Sequence, residues 1–157
     1  MKLLIVADSH GDVSLLKNNI EIINKCDMII HLGDHDYDID KISEFTDKPI
    51  VAVRGNNDYT DRFDKEKILR IGNHKLFLTH GHKYKVHSGT ERLYYKAQEL
   101  GADIALYGHT HIFNYENDGQ ILILNPSSPS LSRDGHNSFV VMDIDGDEVK
   151  VERILEE

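Results

Sequence analysis

Cysteine is nearly absent. Cys26 stands alone in 157 residues, so the chain can form neither an internal disulfide nor a thiolate metal cluster. Long apolar runs are missing as well: the run Leu3 to Ala7 is broken by Asp8, and no stretch approaches the ~18 residues of a membrane span or the ~7–15 of a signal core. This predicts a cytoplasmic protein with no membrane partner. Positive charge is scarce, with 18 Lys and Arg against 27 Asp and Glu and a formal charge of −9. No basic tract can follow a phosphate backbone, which excludes an extended nucleic-acid surface. Proline is limited to 3 residues, and the 39% hydrophobic and 29% charged content is that of a folded protein rather than a disordered chain. No repeat, linker or low-complexity segment divides the sequence. Residues 1–157 are therefore expected to form one domain, as a monomer or small homo-oligomer.

What is present is a series of short apolar runs that end in polar clusters. Leu3-Leu4-Ile5-Val6 suits a strand buried on both faces. After Gly11, Asp12 is placed to cap a helix in which Val13, Leu16, Ile20 and Ile23 recur at helical spacing. Met28-Ile29-Ile30 predicts a second strand, leading into Gly33-Asp34. A partly amphipathic segment from about Asp38 to Phe45 then leads through Pro49 to a third, Ile50 to Val53, which runs into Gly55. In open α/β sheets, ligands collect at the carboxyl ends of such strands.

The second half carries hairpin signals instead. Ile68–Ile71 and Lys75–Leu78 flank Gly72-Asn73, Phe113–Glu116 and Gln120–Leu124 flank Asn117-Asp118-Gly119, and Phe139–Ile144 and Val149–Ile154 flank Asp145-Gly146-Asp147. Thr90 is placed to cap a helix ending near Gly101, with Leu93, Ala97 and Leu100 inward, and Ile104–Tyr107 feeds Gly108. A parallel first half followed by an antiparallel second half predicts an α/β fold of two sheets packed face to face, with helices outside.

Five polar clusters sit at strand exits: Asp8-Ser9-His10, Gly33-Asp34, Gly55-Asn56-Asn57-Asp58, Thr79-His80-Gly81-His82 and Gly108-His109-Thr110-His111. Taken singly, most read as turn chemistry, because Asp, Asn and Gly are the ordinary residues of loops and caps. Two histidines at alternate positions leaving a buried strand have little structural justification, and His80 adds an imidazole at another exit. Together, imidazole, carboxylate and amide oxygen suit Mn, Fe, Zn, Ni or Co better than Ca. Two divalent ions would add about four positive charges, enough to attract a phosphate into an acidic protein.

In this order the clusters resemble the calcineurin-like metallophosphoesterase superfamily, whose pattern runs D-x-H, G-D, G-N-H-[DE], H and G-H-x-H, over Asp8 to His111. Asn125-Pro126-Ser127-Ser128 is similar to a segment of the small bacterial and archaeal phosphodiesterase group, which includes relatives of the retromer subunit Vps29. That group usually has Asn-Pro-Gly-Ser, and here Ser127 takes the place of the glycine. The resemblance implies a four-layer αββα sandwich of two mixed β-sheets flanked by helices. It also implies one ion held by Asp8, His10, Asp34 and His111 and a second held by Asp34, Asn56, His80 and His109, with Asp34 as the bridge. The implied cofactors are two divalent transition-metal ions, Mn2+ first, with Ni2+, Fe2+, Zn2+ or Co2+ as alternatives. Two such ions, ~3.5–4 Å apart, bind phosphate oxygens and hold a bridging hydroxide for in-line attack. The implied activity is that of a phosphodiesterase acting on a small phosphodiester or phosphate ester.

The chain departs from the pattern at Asn57, where many members have a histidine that protonates the leaving oxygen. An asparagine amide donates a hydrogen bond but transfers no proton at neutral pH, which counts against the alternative of a phosphomonoesterase. Asn57, Asp58 and His82 are the candidate catalytic residues, with Asp58 orienting the loop or a ligand and His82, like His35, placed to contact phosphate or shuttle a proton. The alternative from another class is a Vps29-like protein-binding scaffold with a vestigial metal pocket, and retention of the full ligand set favours the enzyme. Of the remaining histidines, His31 is expected in the core, His74 and His87 at the surface, and His136 near the serine-rich segment without an assigned role.

Overall fold

Alternation in the first strand sets the layering. β1 (Lys2–Val6) turns Leu3 and Ile5 into one apolar cluster and Leu4 and Val6 into another, as a period of two requires, and all four are fully buried. The computed structural model describes all 157 residues, Met1–Glu157. Beyond β1 the chain forms α1 (Ser14–Lys17), α2 (Ile20–Lys25), β2 (Met28–His31), α3 (Asp38–Ser43) and β3 (Ile50–Ala52). These three strands are parallel, with β1 beside β2 and β2 beside β3.

The second sheet is built from β4 (Glu66–Ile71), β5 (His74–Thr79), β6 (Ile104–Leu106), β7 (Phe113–Asn117) and β8 (Leu122–Pro126), in the order β4-β5-β6-β8-β7. Its inner pairs, β5 with β6 and β6 with β8, are parallel, and its outer pairs are antiparallel. Leu76, Leu78, Ile104, Leu106, Leu122 and Leu124 meet Leu3, Ile5 and Ile30 between the sheets. Outside the first sheet, Leu16, Ile23 and Ile42 cover Leu4, Val6 and Ile29; outside the second, Leu93 and Ala97 of α4 (Glu91–Leu100) cover Phe77, Ala105 and Ile123. Each fully buried Leu or Ile contributes about 1.5–3 kcal/mol. The product is the four-layer α/β arrangement of two mixed five-stranded sheets.

The C-terminal hairpin corrects the division by halves. β9 (Ser138–Asp145) and β10 (Glu148–Leu155) do not join the second sheet: β9 pairs antiparallel with β1, giving the order β10-β9-β1-β2-β3. Phe139 feeds the helix-side cluster while Val140, Met142 and Ile144 enter the core between the sheets, so β9 is apolar on both faces and its pattern names no particular sheet. The first predicted helix is also divided. Asp12 Oδ1 accepts from the backbone N–H and hydroxyl of Ser14, but α1 stops at Asn18, and Asn19 Nδ2 bonds the Leu15 carbonyl before α2 begins. Thr90 makes no side-chain cap on α4, because its hydroxyl donates instead to Glu116. No helix is long and apolar enough to cross a membrane.

His74, expected at the surface, is buried at the far end of the sandwich. Its Nδ1 lies 2.6 Å from Asp103 Oδ2 and its Nε2 2.8 Å from the Gly146 carbonyl. A carboxylate and a carbonyl can only accept, so both ring nitrogens must donate, which requires the imidazolium. Burial opposes that charge, but the bonds to Asp103 and Gly146 and the nearby Asp147 outweigh it and hold the His74 pKa above its ordinary value. A raised folded pKa gives stability that is complete below ~6.5 and is lost as pH rises through the folded value. Thermal unfolding should therefore show wild type losing more of its midpoint than His74→Gln between pH 6 and pH 8.5, by about 2–4 °C per kcal/mol of linkage. Parallel pH profiles for the two proteins would show that His74 carries no charge in the folded state.

Candidate metal centre

Five strand ends deliver the five polar clusters to one edge of the sandwich. Asp8 N–H bonds the Gly33 carbonyl within the first sheet and Gly108 N–H bonds the His80 carbonyl within the second, and the two sheets are joined where Asp8 Oδ2 accepts from His109 N–H at 2.8 Å. Approach is this close only because glycines stand beside the ligands. A Cβ on Gly108 would come within 2.7 Å of the Ala7 Cβ and 2.9 Å of Asp8 Oδ2, and one on Gly55 would overlap the Asp34 carboxylate. Asp8, His10, Asp34, His109 and His111 all have positive φ, between 45° and 74°. Asp and His enter this left-handed region more readily than most residues, yet such conformations cost about 1–3 kcal/mol each and persist where the surroundings over-determine them.

Asp8 Oδ1 lies at the centre. His10 Nε2, His80 Nε2 and His111 Nε2 surround it at 3.9, 3.7 and 3.5 Å. Asp34 spans the same histidines, with Oδ2 3.5 Å from His10 Nε2 and Oδ1 3.4 Å from His80 Nε2. Two groups of donors converge, Asp8-His10-His111 and Asp8-Asp34-His80, each with ligand atoms within 4.8 Å of one another. Asp8 belongs to both, while Asp34 reaches a histidine of each.

The tautomers favour a cation. His80 Nδ1 donates to the Leu32 carbonyl and His111 Nδ1 to the Leu131 carbonyl, each at 2.8 Å, which directs each Nε2 at carboxylate oxygens. Asp8 Oδ1, His10 Nε2 and His80 Nε2 are buried without a hydrogen-bond partner. Lone pair facing lone pair is repulsive unless a positive ion lies between, so the donor set fits divalent metal. Burial, followed by the facing His80 and His87, pushes the His109 imidazole down to about 4, and burial also lowers His10. Both are neutral at physiological pH, as ligands must be. Burial likewise disfavours charge on His111, but Asp8 outweighs it and the net shift is upward.

Not every expected ligand is drawn in. His109 faces His80 with ring centroids 5.1 Å apart but lies outside both converging groups, and Asn56 is exposed and makes no side-chain hydrogen bond. Its neighbour turns inward instead: Asn57 N–H bonds Asp34 Oδ1 at 3.0 Å and Asn57 Nδ2 bonds Asp34 Oδ2 at 2.8 Å. Asp58 holds the two ligand loops together, with Oδ2 accepting from Asp34 and Gly55 N–H and Oδ1 from Asp36 N–H. His82 is 5.6 Å from the His80 ring, and burial lowers its pKa. His35 packs edge-on against His10 at 4.7 Å, whereas His136 is exposed on its turn. His87 is exposed, as expected, yet its ring lies 4.5 Å from His109 and so at the rim of the site.

Two supporting networks were not visible in sequence. The buried Asp38 carboxylate accepts from the Ser9 hydroxyl at 2.6 Å and from Gly11 N–H, and Ser9 in turn meets buried His31, which pins the loop between Asp8 and His10. Asp38 begins α3, in a segment that the sequence marks only as partly amphipathic. The second network is the serine-rich segment, where Ser128 and Ser130 hydroxyls donate to the Asp8 and Ser9 carbonyls and Ser127 donates to the His111 carbonyl. Ser127 has φ of 67°, a conformation suited to the glycine it replaces.

Comparison with known proteins agrees with this geometry. A protein from Bacillus subtilis named "Probable metallophosphoesterase YsnB" is 32% identical over 96% of this chain and 89% of its own length. "Phosphodiesterase MJ0936" from Methanocaldococcus jannaschii is 30% identical over 80% of this chain and 82% of its own. Among solved structures, wild-type Vps29 complexed with zinc, from Entamoeba histolytica, has the same fold with a TM-score of 0.80 at 22% identity, covering 99% of each chain. The calcineurin-like phosphoesterase superfamily domain matches residues 1–147. Matched over nearly its whole length, with its donor clusters gathered at one edge of two packed sheets, the chain belongs to the calcineurin-like phosphoesterase superfamily.

Proposed function

We propose that the protein is a metal-dependent phosphodiesterase using two divalent ions. The carrying observation is that Asp8 Oδ1, His10 Nε2 and His80 Nε2 are buried without a hydrogen-bond partner, with both nitrogens within 3.9 Å of that oxygen. Asp8, His10, His111 and Asp34 would hold one ion, and Asp34, His80, His109 and Asn56 the other. When bound, such ions supply positive charge to phosphoryl oxygens and lower the pKa of water to ~7, so that a nucleophile exists near neutral pH. The chain's own part is to fix the donors. Asp58 and the serine-rich segment hold the ligand loops by their backbones, and Asn57 steadies the Asp34 carboxylate while leaving its amide oxygen free. No proton donor stands at position 57, so the reading favours diesters with stable leaving groups over monoesters of poor ones.

Stripped of divalent ions, the protein should lose hydrolysis of a bis-aryl phosphate and regain it with Mn2+, while calorimetric titration shows two ions per chain. The unfolding midpoint should rise with added metal, since the ion binds only the folded donor set. One tight site with full activity would overturn the two-ion reading. Metal binding without turnover of either diester or monoester would favour a scaffold.

A further inference from the structure

The donor cluster lies between two clefts. On the His10 side is a cleft of about 410 Å³, lined by His10, His35, Tyr37, Asn57, Tyr59 and Thr60. Tyr59 is 93% exposed at the cleft mouth, and Tyr37, 47% exposed, presents beside it a ring that packs against His35 and beneath Lys41 Nζ. On the opposite side, a second cleft of about 360 Å³ begins at His87, beside His109, and is walled by Val86, Tyr107, Ile112, Phe113 and Glu116. Both volumes fall in the range of sites for small organic groups. Neither cleft is lined by Lys or Arg.

That charge pattern selects a substrate. On the His10 side, Asp58 is satisfied by backbone N–H groups, and the Asp36 carboxylate accepts from the Thr60 hydroxyl. On the other side, Glu116 accepts from Thr90 and Asn114 but remains exposed on β7, where it would repel a second phosphate and accept hydrogen bonds from hydroxyl or amino groups. Aromatic faces at the mouths suit flat rings, whose stacking is tolerant of exact chemistry.

We infer that the two clefts are the arm sites of the substrate, a phosphodiester whose two ester groups are each neutral and ring-bearing, as nucleosides are, one lodged on each side of the donor cluster. The inference rests on the phosphodiesterase reading. A monoester fills one cleft at most, and a dimethyl ester fills neither. Hydrolysis consumes one water: its oxygen forms a new P–O bond and releases a proton to solvent, one ester P–O bond breaks, the departing alkoxide takes a proton from solvent, and the other arm remains as a monoester.

The test measures kcat/KM of the metal-restored protein for a dinucleoside monophosphate, the methyl ester of a nucleoside monophosphate, and dimethyl phosphate. Loss of each ring arm should lower kcat/KM by about 5- to 150-fold, the worth of one stacked base. Leaving groups differ along the series, so the same substrates are run with Tyr59→Ala, in which the two-arm substrate should lose most and dimethyl phosphate should be unaffected. Glu116→Lys, an exposed change, should improve a dinucleotide carrying an extra terminal phosphate relative to the neutral one. A readout independent of turnover is a nucleoside titrated onto metal-free protein labelled at isoleucine methyls, where the Ile112 methyl should shift. Equal kcat/KM across the series in both proteins, with Ile112 unmoved, overturns the arm sites and leaves the phosphodiesterase reading intact. Failure to hydrolyse any of these alkyl esters while a bis-aryl phosphate is still turned over overturns the arm sites alone, and failure with the bis-aryl phosphate as well overturns both.

Discussion

Replacing Asp34 with Asn should lower kcat/KM for a bis-aryl phosphate by about a thousandfold or more, roughly 4 kcal/mol of transition-state stabilisation. Asp34 presents one oxygen to His10 and the other to His80, so its two oxygens reach both histidine sides of the cluster separately. The substitution keeps the shape and removes the charge that brings two cations together. Folding should survive, because Asn57 can rotate its amide to accept where it now donates to Asp34. Metal titration of the folded variant should show one ion retained and the other weakened. His82→Ala is the comparison: His82 faces His80 from 5.6 Å without belonging to either donor group, and its loss should cost far less. Equal falls in kcat for the two folded variants would show that Asp34 holds no special place.

Asn57→His should change which substrates are turned over more than it changes the best rate. Asn57 is exposed and lines the 410 Å³ cleft, so an imidazole has room there. General acid assistance is typically worth ~100- to 10,000-fold when well placed, and it acts only where the leaving oxygen needs a proton. Alkyl phosphates should therefore gain, up to that range, while aryl diesters, whose phenolates leave unaided, stay level or fall as the Asn57 bond to Asp34 is lost. The measurement is kcat/KM for aryl and alkyl esters, as diesters and monoesters, in both proteins at matched metal occupancy. If wild type already hydrolyses alkyl monoesters as fast as aryl diesters, another acid operates, and His82 and His35 are the nearest candidates.

Sequence alone determined the strands and the residue types at their exits. Alternating apolar positions such as Leu3 to Val6 fix a strand and both its faces, because side-chain direction in a strand depends only on parity. Gly72-Asn73 fixes a hairpin, and Gly101, with φ of 70°, ends α4, because turn and cap conformations are local. Asp and His at strand exits were legible for the same reason: each is a residue type at the end of a run, and the order of five such exits is a one-dimensional pattern.

What only the tertiary structure decided depends on partners far apart in the chain. The placement of β9 beside β1 could not be read from an apolar pattern that would suit either sheet. His74 looked like a surface residue until Asp103 and Gly146, from a neighbouring connection and from the other sheet, closed on both ring nitrogens. Asn57 rather than Asn56 bonds Asp34, because the loop's direction is set by the grip of Asp58 on three backbone N–H groups. Asp38, Ser128 and Ser130 are ordinary polar residues in sequence, and they acquire a role only when packing sets them against the wholly buried Asp8 and Ser9, whose backbone has no water to bond.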